Sequence, residues 1–309
     1  MRSEEQQRAM IDKPTIIVSS LGRTGTKFFY TLFKEILSQS TAFHEPDTFH
    51  IGRGNGIRRL VEQTRAAGVY NMFVRKALGR WGVVRLSHAR VEGRLDYDEA
   101  VRRVLSQRAD FVPRQPGTLY MESNLGYYGL LDVVKDVYAH HRAIYIIRDG
   151  RDWVRSKMNR AQMYNRRGVR GYFAHKWPTA LAVAGDPYRD QWETMSRFER
   201  VCWSWSKLNG YALEAMRSNP YARLYLFEEI FHAEDRYETL AELVAFATDF
   251  EGRRAPSAAA LDGWLDRRVN VSQDSFPHWE DWSAEQKRQF HAICGPLMDE
   301  LGYDDRRQA

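Results

Sequence analysis

The chain predicts a three-layer α/β/α domain on a mainly parallel central sheet, with a helical insertion. Three observations carry this. Apolar runs at 15–19, 118–121, 143–147 and 222–226 have the length of buried strands, and each adjoins a segment of helical period, the order of βαβ units. Two of the runs end in clusters of arginine, glycine and hydroxyl residues, placed where open α/β sheets bind ligands. The stretch 50–115 is too long for a crossover and reads as helix. With 309 residues, 43% of them apolar, the chain fills one core, and residues 1–309 are read as a single domain.

The first strand, Ile16-Ile17-Val18, runs into Ser19-Ser20-Leu21-Gly22-Arg23-Thr24-Gly25-Thr26-Lys27-Phe28-Phe29 and then into a helix marked by Leu32, Phe33, Ile36 and Leu37. This is an anion cradle. Gly22 and Gly25 permit a tight turn, the helix start supplies free N–H donors, and Arg23 and Lys27 supply charge. The magnesium-binding nucleotide loop needs Gly-x-x-x-x-Gly-Lys-[Ser/Thr]. Here Lys27 falls one place late and Phe28 follows it, so no hydroxyl stands at the metal position.

Phe43-His44-Glu45-Pro46 lies about where a second strand ends at the same edge. The insertion follows. Residues 57–79 read as helix, and Asp96 with Glu99 forms a capping box before a face of Val101, Val104 and Leu105. After the strand at 118–121, Glu122 and Asn124 are either acceptor contacts or the cap of a helix over 127–139. His140-His141 reads as the end of that helix.

The run Ala143–Ile147 leads into Arg148-Asp149-Gly150-Arg151-Asp152-Trp153-Val154-Arg155-Ser156. Arg148 at the strand end and Ser156 in the next helix converge on one phosphate, with Asp149 and Asp152 orienting the arginines. Residues 161–190 mix aromatic, basic and glycine residues with little period and are either a lid or an ordinary surface loop. Trp203, Trp205, Trp279 and Trp282 read mainly as core. Ser283 with Gln286 caps a last helix whose buried stripe is Phe290, Ile293, Leu297 and Leu301, ended by Gly302.

Net charge is +6, but residues 51–115 hold fourteen Arg and Lys against six Asp and Glu, leaving the rest near −2. That is either a solvated helical surface or a basic wall facing an anionic ligand. No nucleic-acid motif accompanies it, so no nucleic-acid partner is expected. No run of eighteen apolar residues occurs, so no membrane span is expected, although the basic amphipathic stretch 57–81 is compatible with peripheral membrane contact. The polar N-terminus lacks a secretion signal, and the two cysteines, Cys202 and Cys294, have no metal-ligand spacing; a cytoplasmic, metal-free protein is expected. Nothing in the pattern sets an oligomeric state.

Taken together, the 22–26 loop, the 148–156 motif, and the tail Arg268-Val269-Asn270-Val271-Ser272 with Trp279 and Trp282 resemble the sulfotransferase superfamily that uses 3′-phosphoadenosine-5′-phosphosulfate (PAPS), leaving 3′-phosphoadenosine-5′-phosphate (PAP). The resemblance covers most of 14–48, 118–160 and 200–303 and implies a P-loop-like fold. The family usually has Pro at the Gly150 position, a change expected only to loosen the turn, and often Thr at Lys27.

The resemblance implies that Gly22, Arg23, Thr24, Gly25, Thr26, Lys27 and Phe28 hold the 5′-phosphosulfate, that Arg148 and Ser156 hold the 3′-phosphate, and that Arg268 and Asn270 complete the nucleotide site. Arg23 stabilises the leaving phosphate; Lys27 shares that role or points to solvent. Glu45 is the first choice for the base and His44 the second; a carboxylate that merely pairs with Arg23 is the alternative for Glu45. Glu45, Glu122 and Asn124 are the candidate acceptor contacts. The favoured acceptor is a carbohydrate or hydroxylated small molecule, with an anionic one compatible with the basic insertion. A P-loop kinase and a non-catalytic PAP- or PAPS-binding protein are the alternatives.

Overall fold

The computed structural model describes residues 10–47, 56–75, 77, 82–160, 163–164, 177–253, 255–267 and 275–303. Five parallel strands form the central sheet: β1 (Thr15–Ser20), β2 (Ser40–His44), β3 (Leu119–Ser123), β4 (His141–Ile147) and β5 (Ala222–Leu226), in the order β2-β3-β1-β4-β5. The predicted class holds, and the sheet is parallel throughout. The inner strands β1 and β4 are covered by helices on both sides, which is why Ile16–Val18 and Ala143–Ile147 are apolar on both faces.

The period-two alternation of the strands sorts the core into layers. Ile16, Val18, Ile144 and Ile146 pack on one face against α1 (Thr26–Ile36), α8 (Phe227–Phe231) and α9 (Arg236–Thr248). Ala143, Tyr145 and Ile147 pack on the other against α6 (Gly150–Met158), α7 (Arg197–Arg217) and α10 (Ala284–Glu300). On that same face Ile17 and Tyr120 meet a third cluster with α3 (Val83–Val91), α4 (Tyr97–Arg108) and α5 (Val134–Val137). β1 sits at the switch point: the chain adds strands on one side of it, then on the other, so a crevice opens beyond its C-terminal end.

The described elements of 50–115 are helical: α2 (Gly56–Ala67), a π-type turn (Tyr70–Arg75), α3 and α4. The single helix expected over 57–79 is broken at Gly68, whose φ of 83° ends α2. Asp96 caps α4 by accepting from Glu99 N at 2.8 Å, while the Glu99 carboxylate bonds Arg102 and Arg103. The helix expected over 127–139 is instead a 3₁₀ turn (Leu125–Tyr127) and the four-residue α5. His141 therefore does not end a helix. It opens β4, buried between Tyr138 O and Asn219 Oδ1.

Trp203, Trp205 and Trp282 are buried in the core, and Trp279 packs edge-on to Trp282 and Phe290. The Ser283–Gln286 capping box opens α10, and its predicted apolar stripe faces α7. Among the described residues no helix is long and apolar enough to cross a membrane, and no group of three His, Cys, Asp or Glu side chains could hold a metal. Of the 161–190 segment, 161–162 and 165–176 lie outside the described residues; 177–190 is a series of turns.

Candidate functional site

The site is assembled at the C-terminal edge of the sheet from loops that leave β1, β2 and β4. After Ser20 the backbone enters the left-handed region at Gly22 (φ 75°), Arg23 (φ 66°) and Gly25 (φ 77°). Gly25 is also sterically confined, since a Cβ there would stand 3.0 Å from the Phe231 ring. Gly22 N donates to Ser20 Oγ at 3.0 Å, and Thr24 Oγ1 donates to the same oxygen. Thr24 is buried by this, so its hydroxyl braces the loop and does not face the crevice. No side chain caps the start of α1, which leaves its first N–H groups directed at the crevice mouth.

The two predicted anion motifs meet. Arg23 Nε donates to Ser156 Oγ at 2.8 Å, and Arg148 Nη1 donates to Arg23 O at 3.2 Å. Arg148 lies over the Phe227 ring at 4.8 Å, and Trp205 Nε1 donates to its carbonyl at 2.9 Å. Its Nε is buried and has no hydrogen-bond partner among the described residues. Behind it, Asp149 grips Arg151 in a buried bidentate pair, and Arg151 also donates to Tyr303 O at 3.0 Å. Asp149 N donates to Glu228 Oε1; burial pushes the Glu228 carboxyl up to about 7.

Gly150 sits in tight packing and has no positive φ. A Cβ there would come within 3.1 Å of Met298 Sδ, Phe290 Cζ and Trp205 Cδ2. The glycine therefore does more than loosen the turn: α6 is drawn so close to α7 and α10 that a side chain there would have to displace these neighbours by a few tenths of an ångström.

Glu45 follows β2 and is held by its backbone, with Glu45 N donating to Ser123 O at 2.9 Å. It is buried and sits at φ 48°, a sparsely populated conformation for a glutamate. His44 Nδ1 lies 4.0 Å from Glu45 Oε2. Four described non-glycine residues have positive φ, and Arg23 and Glu45 are two of them.

Lys157 was not singled out from the sequence and belongs here. Its ammonium donates to Leu21 O at 3.1 Å and lies between the Trp153 and Trp177 rings, 4.8 and 5.0 Å from their centroids. Trp153 Nε1 in turn donates to Gly22 O at 3.0 Å. Burial, then the nearby Arg23 and Arg160, lower the Lys157 ammonium to about 7; Glu45 opposes the shift. The i, i+4 spacing of Trp153 and Lys157 puts both on one face of α6, the signal from which they were legible. Burial followed by Arg160 and Arg148 lowers Arg23 as well, the mark of a cationic crevice.

Other predicted residues go elsewhere. Glu122 is fully buried, bonded twice by Arg108 (3.0 and 2.7 Å), by Tyr120 OH at 2.7 Å and by Asn124 Nδ2 at 2.8 Å. Asn124 also binds Asp47 and caps the 3₁₀ turn through Gly126 N. Both side chains are spent inside the protein, which corrects their placement as acceptor contacts. Lys27 is exposed on α1, and the Phe28 side chain enters the core beside Phe29, Phe231 and Trp264. Arg268 and Asn270 lie outside the described residues.

No family model matches the sequence, and no curated protein matches it. Among solved structures, a sulfotransferase from Mycobacterium avium aligns with a TM-score of 0.50 at 14% identity, over 96% of this chain and 78% of that one. A sulfotransferase domain from the curacin biosynthetic pathway (13% identity, 93% and 98% of the two chains) and a sulfotransferase from Alicyclobacillus acidocaldarius (14%, 94% and 95%) align at 0.40, too low to carry an argument. The chain has a sulfotransferase-type fold.

Proposed function

We propose that this protein is a sulfotransferase that moves a sulfuryl group from PAPS to an acceptor hydroxyl, without a metal, in the cytoplasm. The observation that carries the reading is Arg148: a buried guanidinium N–H with no hydrogen-bond partner among the described residues, on a side chain hydrogen-bonded through Nη1 to Arg23 O of the loop after β1. An unsatisfied buried donor of this kind is costly and is explained by an anion that accepts from it.

In this reading the residues divide by position. Arg148 and Ser156 bind the 3′-phosphate. The loop from Gly22 to Thr26 and the uncapped start of α1 hold the 5′ end by backbone N–H groups. PAPS supplies the sulfuryl group on an oxygen of its 5′-phosphate. Arg23 and Lys157 face the charge that builds on that oxygen as the bond breaks, and the crevice is preorganised for it by its own excess of cations. Glu45, held by its backbone against β3 near Lys157, takes the proton of the acceptor hydroxyl. His44 is the alternative base. The acceptor we favour is a carbohydrate or another hydroxylated small molecule.

Calorimetric titration with PAP, with and without Mg²⁺ and beside ATP, tests the donor. Metal-independent PAP binding supports the reading. ATP binding that requires Mg²⁺ would replace it with a kinase, and PAP binding without turnover on any acceptor would leave a binding protein.

A further inference from the structure

Seven large apolar side chains are exposed among the described residues, and five of them fall within fourteen positions: Val61, Val69 (66% exposed), Tyr70 (63%), Phe73 and Val74. Val61 lies on α2, Val69 on the join after Gly68, and Tyr70, Phe73 and Val74 on the π-type turn. The segment is nevertheless anchored, because Ala67 and Met72 are buried in the cluster beneath. The outward apolar face is thus part of the fold, and its side chains are large aliphatic and aromatic groups facing water.

The sequence that bears this face carries charge of nearly one sign. Residues 51–85 carry eight arginines and lysines, Arg53, Arg58, Arg59, Arg65, Arg75, Lys76, Arg80 and Arg85, against the single acid Glu62. Arg65 and Arg85 are exposed. We propose that this face docks the protein on an anionic lipid surface, valines and Tyr70 entering the headgroup boundary and the basic residues meeting lipid phosphates. Cations around an apolar, aromatic-bearing helix face are the arrangement that binds such an interface. Exposed valines distinguish it from a nucleic-acid footprint, which uses charge and aromatic stacking and gains nothing from aliphatic side chains.

The placement ties the face to the crevice. The chain leaves the sheet edge at Asp47 and returns at Val83, whose N–H donates to Asp47 Oδ2 at 2.8 Å. The excursion that bears the apolar face is therefore closed at a point two residues from Glu45. A lipid-borne hydroxyl at the membrane boundary becomes the acceptor this geometry suits. That last step rests on the sulfotransferase reading; the docking does not.

Sedimentation with sucrose-loaded vesicles tests the docking. Wild-type protein is expected to bind vesicles of equal phosphatidylglycerol and phosphatidylcholine about tenfold more strongly than phosphatidylcholine alone, and to lose that preference between about 0.1 and 0.5 M salt. The variant V69S/Y70S/V74S is expected to lose about tenfold in vesicle binding while keeping its melting temperature and its PAP affinity, and R65E to weaken binding mainly at low salt. Equal binding to both vesicle types, or vesicle binding unchanged in V69S/Y70S/V74S, overturns the proposal. So does a dimer that the same variant dissolves, which would make a second copy the occupant, or displacement of vesicles by duplex DNA with V69S/Y70S/V74S still bound to the DNA. Failure of PAP to bind would sink the sulfotransferase reading and leave the vesicle result standing.

Discussion

Arg23 Nε donates to Ser156 Oγ at 2.8 Å across 133 positions of sequence. The bond joins the loop after β1 to the helix after β4, and Arg148 reinforces it through the carbonyl of Arg23. Two motifs that each read as an anion site are thereby parts of one crevice. Arg23 is the electrostatic link between them, lowered by burial, Arg160 and Arg148 and in turn lowering Lys157.

Arg148→Ala is expected to weaken PAP binding by about 10- to 100-fold, the range of one or two charge-assisted hydrogen bonds. Its fold should survive, because Arg148 is partly exposed and its backbone contact with Trp205 remains. Calorimetry checks this; unchanged affinity would remove Arg148 from the site.

Glu45→Gln should reduce turnover by about 10²- to 10⁴-fold with little change in PAP affinity, as loss of a general base does. Single-turnover assays after an acceptor screen read it. Near-normal turnover would pass the role to His44.

Lys157 predicts a proton linkage. Lowered to about 7 in the free protein, its amine is largely neutral at about pH 8, and an anion held at Gly22–Thr26 favours the ammonium. PAP binding at about pH 8 should therefore take up as much as one proton, seen as a dependence of the binding heat on buffer ionisation enthalpy, and Lys157→Met should abolish it. No uptake by the wild type would sink the placement. Stability has a matching sign. The unfolded lysine titrates near 10.5, so the unfolded state binds more protons between about 7 and 10.5 and stability rises with pH there. Glu228 acts oppositely: raised from 4.5 to about 7, it lowers stability as pH rises through that interval.

Gly150→Pro restores the residue common to the resembling family, and proline is ordinarily favourable at a helix start. Here it should destabilise by about 1–3 kcal/mol, because its ring meets Phe290, Trp205 and Met298. A melting temperature equal to or above that of the wild type would show that the helices yield.

Arg108→Met leaves Glu122 and Asp47 facing each other in a fully buried site. The expected cost is about 3–5 kcal/mol by urea unfolding. An unaltered midpoint would mean that the network is not a structural one and would return Glu122 to the crevice.

Local chemistry was enough for much of this. Ile16–Val18 and Ala143–Ile147 are apolar without alternation, which only a strand covered on both faces tolerates. Gly22 and Gly25 announce a left-handed turn, and Ser283 with Gln286 a helix start. The Arg23 loop and the Arg148 motif, each following a parallel strand, had to end at one edge of the sheet. The side-chain partners were set by packing between distant segments. Glu122 looks like an acceptor contact until Arg108, from a helix in the insertion, is found against it. Lys157 looks like a solvated helix residue until Trp177 and the β1 loop enclose it. Gly150 looks like a loose turn until α7 and α10 close on it. Period, turn chemistry and charge spacing act over a few residues and determine elements and their order; enclosure, and with it each titratable group's charge and each polar group's partner, depends on which remote surfaces meet, and only the tertiary structure decides that.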